Sequence, residues 1–446
     1  MPPKQKSLPE GQCASLAFAV VAGVFFFITI IKFGDPVILD YNLPPPHDMA
    51  ETLFGSWPSR WGPWLVAPLV AAGLFAVPWN RLRGHWTLAL PAIWLGWELL
   101  AATQTVRPVL TSVTLKHFAA CVVLFYVGFF ALNRGSQTWP VWTGMALALC
   151  WVIRAGFEQH FGGLEATRKL IYSGHHIPEF TAQMLQNPEF QKRIASNRIY
   201  STFVYANALA GGLVLLLPLT LVFLWRLTPK VRLSVRLAFV AILGGCGLAC
   251  LYWSGSKAGW LVALTVGLVA LGHSALPLKW KRWLIGGVLI VGMAGFAVKY
   301  AAFFQKERNS VSARFGYWRA AGIIIKTHPL LGTGPGTFQV PYERIKRPTD
   351  EMARLAHNDY LEQACDSGVP GMICYVGMII ALLYQLYRYS ATKPPFDWLQ
   401  LGIWLGLFGL CLHSMVEFHL YIPALAWPMF FLFGWLLKSQ INDKVP

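Results

Sequence analysis

The sequence predicts an all-α polytopic membrane protein with about 12 transmembrane helices and a large helical loop between helices 9 and 10. Of its 446 residues, 55% are hydrophobic and only 13% are charged, which excludes an ordinary soluble protein. Apolar segments of a length that crosses about 30 Å of hydrocarbon recur along the whole chain. Because backbone groups in lipid must be bonded internally, these segments are expected to be helices.

The twelve predicted spans have approximate ends and are mostly joined by short connections. The first follows the basic stretch "MPPKQKSLPEGQ"; its long apolar run has no cleavage site, which predicts an uncleaved helix. In chain order the spans cover residues 14–31, 63–79, 86–102, 117–132, 139–157, 200–225, 237–254, 259–273, 283–300, 369–389, 398–417 and 420–438.

The distribution of Lys and Arg predicts the orientation. If the N-terminus is cytoplasmic, the inner segments are rich in basic residues and hold only three acids, as the positive-inside rule requires. Both termini are then cytoplasmic. The net charge of +17 has a second source, because two outward segments are also rich in arginine although topology does not require it there. We expect those segments to meet an anionic partner.

The chain is predicted to form a single transmembrane domain, residues 1–446, with two outward excursions at about 158–199 and 301–368. The first excursion has helix-compatible runs around "TAQMLQ" and "FQKRIA". The second has amphipathic helix signals near 312–326 and 350–366, joined by the turn-rich "HPLLGTGPGTF". Loops of this length are usually functional.

The stretch "AHNDYLEQACDSGVPG" is unusually polar for this chain. Placed on a helix, it has one apolar stripe that includes His357 and one acidic stripe, formed by Asp359, Glu362 and Asp366. Gly368 is expected to end this helix before the next span begins. The stretch therefore predicts a lid just outside the bilayer, although a single loop histidine more often has a structural role.

Charged side chains near the outer mouths of the spans are candidates for a site. These are Arg198, Lys257, Arg314 and Arg319. A lipid-headgroup or snorkelling contact is the alternative for each, most of all for Arg319 and Lys257. Within the spans, the carboxylates Glu98 and Glu417 should face a cavity or a partner. Glu417 lies near the outer end of its span and could reach the same cavity.

Several common sites are not supported by the sequence. The run "GTGPGTF" lacks the ending of a phosphate-binding loop and predicts a tight turn that lets two backbones approach. No metal-binding motif is present, and the eight cysteines fall mostly within spans, which argues against a disulfide framework or a zinc cluster. We expect neither a metal ion nor another cofactor, and no nucleic-acid partner.

Four stretches taken together resemble the O-antigen ligase and polymerase superfamily of bacterial envelope enzymes. They are "NRIYSTFVYANALAGGLVLLLPL", "YWSGSKAGWLVAL", "RFGYWRAAGIIIKTHPLLGTGPGTF" and "AHNDYLEQACDSGVPG", and the resemblance covers about residues 197–380. It implies a glycosyltransferase of the Gram-negative inner membrane with a periplasmic active site, surrounded by membrane lipids. Such enzymes move a glycan from undecaprenyl pyrophosphate to an acceptor, which in the ligases is the lipid A core.

The resemblance also implies roles for individual residues. The family's two functional arginines map onto Arg198 and Arg314, and its histidine maps onto His357. The candidates for substrate binding are Arg319, Lys257, Tyr360 and Asn358. Where many relatives have Ser-Arg before a glycine, this chain has Ser256-Lys257, so a point charge replaces a guanidinium there.

The chemistry of such a transfer can be derived from the residues. Displacing pyrophosphate from an anomeric carbon develops negative charge, which arginines can stabilise through bidentate contacts. His357 is expected to act as the general base, because nearby cations disfavour imidazolium. A single displacement predicts inversion at the anomeric carbon.

Three other functions stay open at this point. A polymerase of the same superfamily would use a second lipid-linked glycan as acceptor, and a protein O-oligosaccharyltransferase would use a protein. A lipid-linked glycan transporter would also need about twelve spans. Transporters tend to hold their charges at the membrane midplane, whereas the cations here lie in outer loops.

Overall fold

The computed structural model describes residues 10–42, 45–77, 85–132, 136–173, 191, 194–304, 310–348, 350–392 and 397–442. These residues form helices and their connections and contain no β-strand. The prediction of an all-α polytopic membrane protein is confirmed.

Each of the twelve predicted spans coincides with a helix, and further helices lie in the connections. In chain order the helices are α1 (Glu10–Lys32), α2 (Met49–Phe54), α3 (Gly62–Ala76), α4 (Ala89–Ala101), α5 (Pro108–Phe130), α6 (Trp139–Glu158), α7 (Leu164–Ser173), α8 (Ala206–Leu227), α9 (Leu233–Ser254), α10 (Lys257–His273), α11 (Leu278–Phe304), α12 (Ser310–Thr327), α13 (Gln339–Ile345), α14 (Asp359–Thr392), α15 (Trp398–His413) and α16 (Pro423–Asn442).

The helices differ in how well their length suits a membrane. Among the described residues, seven helices are long and apolar enough to cross one: α1, α5, α6, α8, α9, α11 and α14. Helices α10, α15 and α16 contain shorter apolar stretches, and α3 and α4 have 15 and 13 residues. Four of the twelve predicted spans are therefore short helices, and a fifth, α16, is a 20-residue helix with a shorter apolar stretch.

Glycines allow the central helices to pack closely. A side chain at Gly144 of α6 would collide with the backbone of Gly23 in α1, and one at Gly434 of α16 would lie 1.9 Å from the carbonyl oxygen of Phe125 in α5. Small residues at helix interfaces let two backbones approach in this way. The packed core runs through these helices, and a second, smaller apolar cluster lies beneath α12 and α13.

Many helix ends meet at one end of the bundle, called here the site end. Helices α1, α4, α9 and α15 end there, and α5, α8, α10, α14 and α16 begin there. Backbone hydrogen bonds join these ends, from Val106 to Thr333 (2.9 Å), from Asp359 to Ser414 (2.9 Å) and from Ala424 to Phe33 (3.0 Å).

The glycine run packs its backbone against α14. Gly336 has φ +76°, and its N–H donates a 2.7 Å hydrogen bond to Oδ2 of Asp366, which is fully buried. The N–H of Gly334 donates to the carbonyl oxygen of the same residue (2.9 Å). The predicted tight turn with a close backbone approach is confirmed.

We expect Gly336→Ala to lower the free energy of unfolding by about 1–3 kcal/mol, since an L-residue is strained at this φ. Its Cβ would also lie 2.2 Å from Oγ1 of Thr114. The matched control is Gly322→Ala in α12, where a Cβ meets nothing within 4 Å. Thermal unfolding in detergent gives the melting temperature of each variant, and equal melting temperatures for the two would contradict this account.

The polar stretch before the tenth predicted span differs from expectation. Helix α14 begins at Asp359, so the predicted helix near 350–366 is wrong for its first half. The side chain of Asn358 accepts hydrogen bonds from the N–H groups of Tyr360 and Leu361 (3.0 Å each), which caps the helix and stops it extending backwards. His357 therefore precedes the helix instead of lying on its apolar stripe, and its backbone is left-handed (φ +51°).

Other features of this stretch agree with the sequence. Gly368 (φ +74°) interrupts α14 where the first helical segment was predicted to end. The acidic stripe is completely buried rather than solvated; its members are Asp359, Glu362 and Asp366.

Only part of the first excursion can be compared with prediction. Helix α7 follows α6 directly, and its Arg168 donates hydrogen bonds to the carbonyl oxygens of Ile194 (2.8 Å) and Ser196 (2.7 Å). The run "TAQMLQ" and three of the six residues of "FQKRIA" lie outside the described residues. Arg168 thus fixes the segment that leads into Arg198.

Candidate active site

The carboxylate of Glu417 is the centre of the candidate site. It lies in the connection between α15 and α16, and its side chain is only 3% exposed. Oε1 accepts hydrogen bonds from Nη2 of Arg314 and from Nδ2 of Asn207 (2.5 Å). Oε2 lies 3.2 Å from Nδ1 of His357. One buried carboxylate therefore joins side chains from three separate parts of the chain.

The charge of Glu417 fixes which nitrogen of His357 carries a proton. Burial alone would raise the pKa of Glu417, but the neighbouring Arg314 guanidinium and the His357 ring hold that pKa well below its usual value of 4.5. An ionised carboxylate can only accept hydrogen bonds, so Nδ1 of His357 must be the donor. The neutral ring then presents Nε2 as a proton acceptor.

Helix α14 holds the connection that carries Glu417. The N–H of Asp359 donates to the carbonyl oxygens of Ser414 (2.9 Å) and Glu417 (3.1 Å). The N–H of Leu420 donates in return to Oδ2 of Asp359 (3.0 Å). These bonds position the carboxylate beside His357, which lies two residues before Asp359.

Aromatic rings hold the His357 imidazole. It stacks on Tyr317 of α12, with ring centroids 5.6 Å apart and planes at 23°, and meets Phe418 edge-on at 4.7 Å. Its side chain stays 26% exposed. Left-handed backbone at a residue other than glycine is uncommon and occurs preferentially at functional sites. The ring is thus fixed in orientation but accessible.

Asn207 connects the second arginine to this carboxylate. Arg198 donates from Nε to the carbonyl oxygen of Ser254 (2.7 Å) and from Nη2 to Oδ1 of Asn207 (2.6 Å). Arg314 likewise donates from Nε to a backbone carbonyl, that of Val416 (3.0 Å). The two guanidinium groups therefore hydrogen-bond to two side chains that are bonded to each other, Arg198 to Asn207 and Arg314 to Glu417.

A cavity of about 220 Å³ lies beside this pair and is lined by three cations, Arg198, Lys257 and Arg314. Lys257 is the first residue of α10, where Ser256 caps the helix by accepting from the N–H of Gly259 (3.1 Å). His357 does not line this cavity, because it contacts Glu417 through the other carboxylate oxygen. The structure brings three of the four predicted cations together at this cavity, and Glu417 links its lining to the histidine.

Three predicted substrate-binding residues have other contacts. Arg319 lies 3.5 Å from Asp350 and does not line the cationic cavity. Asn358 caps α14, and the hydroxyl of Tyr360 donates to the carbonyl oxygen of Cys411 (2.7 Å). Substrate binding by these three residues stays a prediction.

The two carboxylates of the predicted spans have different roles. Glu98 is fully buried and accepts a 2.6 Å hydrogen bond from Oγ of Ser367, which joins α4 to α14. It is a structural acid paired with a neighbouring helix, whereas Glu417 belongs to the site. Asn207 was missed, and the signal that could have found it is an amide in the first turn of an otherwise apolar helix.

Comparison with known proteins adds an independent observation. Residues 243–376 match the family described as O-antigen ligase. This match supports membership of the O-antigen ligase and polymerase superfamily for the segment that it covers. The matched segment includes Lys257, Arg314 and His357, whereas Arg198 and Glu417 lie outside it. No curated protein matches the sequence.

Within the described residues, no three His, Cys, Asp or Glu side chains are grouped so that they could hold a metal ion. The positive charges at the site belong to its arginine and lysine side chains, and the cavity they line is the place where an anion would be held.

We expect Glu417→Gln to lower the free energy of unfolding of the protein by about 3 kcal/mol, because it leaves the mostly buried guanidinium of Arg314 uncompensated. The pKa of Glu417 is depressed in the folded protein, so the ionised carboxylate stabilises the fold above the ordinary value of 4.5. The difference in melting temperature from wild type should stay constant from about pH 8 to pH 5 and shrink only in stronger acid. A difference that disappears near neutral pH would contradict the assignment.

Proposed function

We propose that this protein is an inner-membrane glycosyltransferase that transfers a glycan from undecaprenyl pyrophosphate to a sugar hydroxyl of the lipid A core, on the periplasmic side. One observation carries the proposal. Glu417 binds His357 with one oxygen and Arg314 with the other, and Asn207 extends the network to Arg198. A proton acceptor and groups that stabilise an anion are thereby held in one fixed arrangement.

The cationic cavity is suited to the diphosphate of the donor. As the bond between the anomeric carbon and the phosphate oxygen breaks, the electron pair leaves with the undecaprenyl pyrophosphate and negative charge develops there. Arg198 and Arg314 can each contact phosphate oxygens through several N–H groups, while Lys257 adds a point charge. A single preorganised donor of this kind contributes roughly 10²–10³-fold to the rate.

An apolar groove lies directly below the cationic cavity. It has a volume of about 310 Å³ and runs between α8, α9, α10 and α15. Leu251 of α9 lines the groove and Gly255, one turn further on, lines the cavity. A polar head with a long hydrocarbon tail could therefore lie along the α9–α10 hairpin, as a polyprenyl diphosphate requires.

His357 is suited to activate the acceptor. Its Nε2 takes the proton of the attacking hydroxyl while that oxygen forms the new bond to the anomeric carbon. The Nδ1–H bond to Glu417 keeps the ring in this tautomer and stabilises the imidazolium as it forms. Attack opposite the leaving pyrophosphate inverts the anomeric configuration, and base catalysis contributes about 10²–10⁴-fold.

The proposal is tested with purified protein in detergent, a lipid-linked glycan and lipid A core. We expect transfer without any ion gradient, an inverted linkage by NMR, and a rate that a chelator leaves unchanged, since side-chain cations stabilise the leaving group. Absence of transfer would favour transport, and loss of activity on chelation would overturn the metal-independent mechanism.

A deletion strain identifies the acceptor. Loss of the ligase should leave long polymer on the undecaprenyl carrier and none on the lipid A core. Single repeat units on the core would identify a polymerase, and loss of protein-linked glycans would identify a protein O-oligosaccharyltransferase.

A further inference from the structure

A second polar cavity lies at the site end, at the start of α5. Its volume is about 450 Å³, and it shares no lining residue with the cationic cavity. Arg107, before the first residue of α5, and Arg344 of α13 line it together with one acid, Glu343. Neither arginine forms an ion pair with a carboxylate of the described residues. Two arginines against one glutamate give the lining of this cavity a net positive charge.

A third cavity, of about 440 Å³, lies further along α5, and its first lining residue on that helix, Val113, is one turn beyond Leu110 and Val109 of the second cavity. The residues of α5 that line the two cavities recur every three or four positions and so share one helix face: Val109 and Leu110 above, then Val113, Lys116, His117 and Ala120. The two cavities, defined by these residues, are called here the α5 groove.

The lower part of the α5 groove has the character of a lipid site. Its walls include Val37, Pro63 and Trp64, which is 79% exposed. Two further cations, Arg60 and Lys116, border it, and Lys116 is exposed on a helix long and apolar enough to cross a membrane. An apolar channel with basic residues near its mouth fits an amphiphile that has an anionic head.

The α5 groove contacts the residues that hold the candidate site. His117 accepts at Nδ1 from Nε1 of Trp427 (3.1 Å), so its Nε2 donates to the carbonyl oxygen of Leu420 (2.7 Å), in the connection that carries Glu417. In the upper part, Val340 and Glu343 of α13 line the groove, and Tyr342, which lies between them in the helix, packs edge-on against Tyr317, which stacks on His357.

We propose that the α5 groove binds the acceptor as an anionic glycolipid, with phosphate-bearing sugars against Arg107 and Arg344 and acyl chains along α5. This inference rests on the proposed function, which requires two lipid-linked substrates. The donor then lies along the α9–α10 hairpin and the acceptor along α5, and only their sugars meet at His357.

The first test separates acceptor binding from catalysis. In nanodiscs, the double variant Arg107→Gln/Arg344→Gln should raise the KM for rough lipopolysaccharide by roughly tenfold or more, since each basic residue near a lipid surface contributes a few-fold. The kcat at saturating acceptor and the KM for the donor should not change. Arg347→Gln, an exposed arginine outside the groove, is the matched control. An unchanged acceptor KM in the double variant would overturn the inference.

The second test does not depend on transfer. A photoreactive residue at Val113 should crosslink to labelled rough lipopolysaccharide, whereas one at Phe239, which is 57% exposed on α9, should not. The arginine double variant should lose this crosslink. Equal competition by excess phosphatidylglycerol would overturn the inference, because the groove would then hold any anionic lipid. A specific crosslink in a protein that transfers no glycan would instead refute the proposed function and leave the groove standing.

Discussion

Replacing His357 by asparagine should lower the kcat of glycan transfer by roughly 10²–10⁴-fold while donor affinity and thermal stability stay close to wild type. Asparagine tolerates the left-handed backbone found at this position, and its amide can still donate to Glu417. It has no group that accepts a proton at neutral pH. The variant therefore removes the proton acceptor but keeps the local backbone conformation and the hydrogen bond to Glu417.

Single-turnover kinetics and donor titration measure these two effects separately. His328→Asn, which changes an exposed histidine in the same excursion, is the control and should have wild-type kinetics. A His357→Asn enzyme with undiminished kcat would assign the proton acceptor to another group. Loss of donor affinity without loss of kcat would identify His357 as a binding residue.

We expect Arg314→Lys to reduce kcat/KM by about 10²–10³-fold, although the charge is kept. The guanidinium donates from Nε to the carbonyl oxygen of Val416 and from Nη2 to Glu417. A lysine ammonium has its three N–H donors on a single nitrogen, so it cannot reproduce both bonds and also contact phosphate. The variant should therefore loosen Glu417 as well as the leaving-group site.

The control for this variant is Arg226→Lys. Arg226 also pairs with a carboxylate, that of Asp397 (2.5 Å), but the pair is partly exposed and lies at the opposite end of the bundle. Exposed pairs contribute about 0–1 kcal/mol, so activity should change little. Comparable losses in the two variants would show that Arg314 acts through stability alone.

The fold was largely predictable because lipid imposes a simple rule on sequence. An apolar run of sufficient length must be a helix, and every predicted span is one. The tight turn of the glycine run was also predictable, since a close backbone approach explains three glycines within the five residues from Gly332 to Gly336. The short length of helices such as α3 and α4 could not be predicted, because hydropathy does not distinguish a full span from a partial one.

The cations of the candidate site could be predicted from the sequence, but the side-chain contacts that join its residues could not. Arg198 and Arg314 were identified, but the contact between Asn207 and Glu417 joins residues 210 positions apart, which no local pattern records. Helical periodicity also placed His357 on a helix, whereas the capping side chain of Asn358 ends that helix first. The sequence pattern indicated cations near His357, but it did not indicate that the carboxylate of Glu417 contacts Nδ1 of its ring.

The order in which the site residues emerge from the ribosome has a consequence for biogenesis. Glu417 joins side chains from α8, α12 and the residue before α14, yet it is translated after all of them. A nascent chain stalled before this residue has its cations in place but no group to align the imidazole. If the proposed transfer is correct, it begins only after the penultimate helix has inserted into the bilayer, and partly inserted chains do not consume the donor.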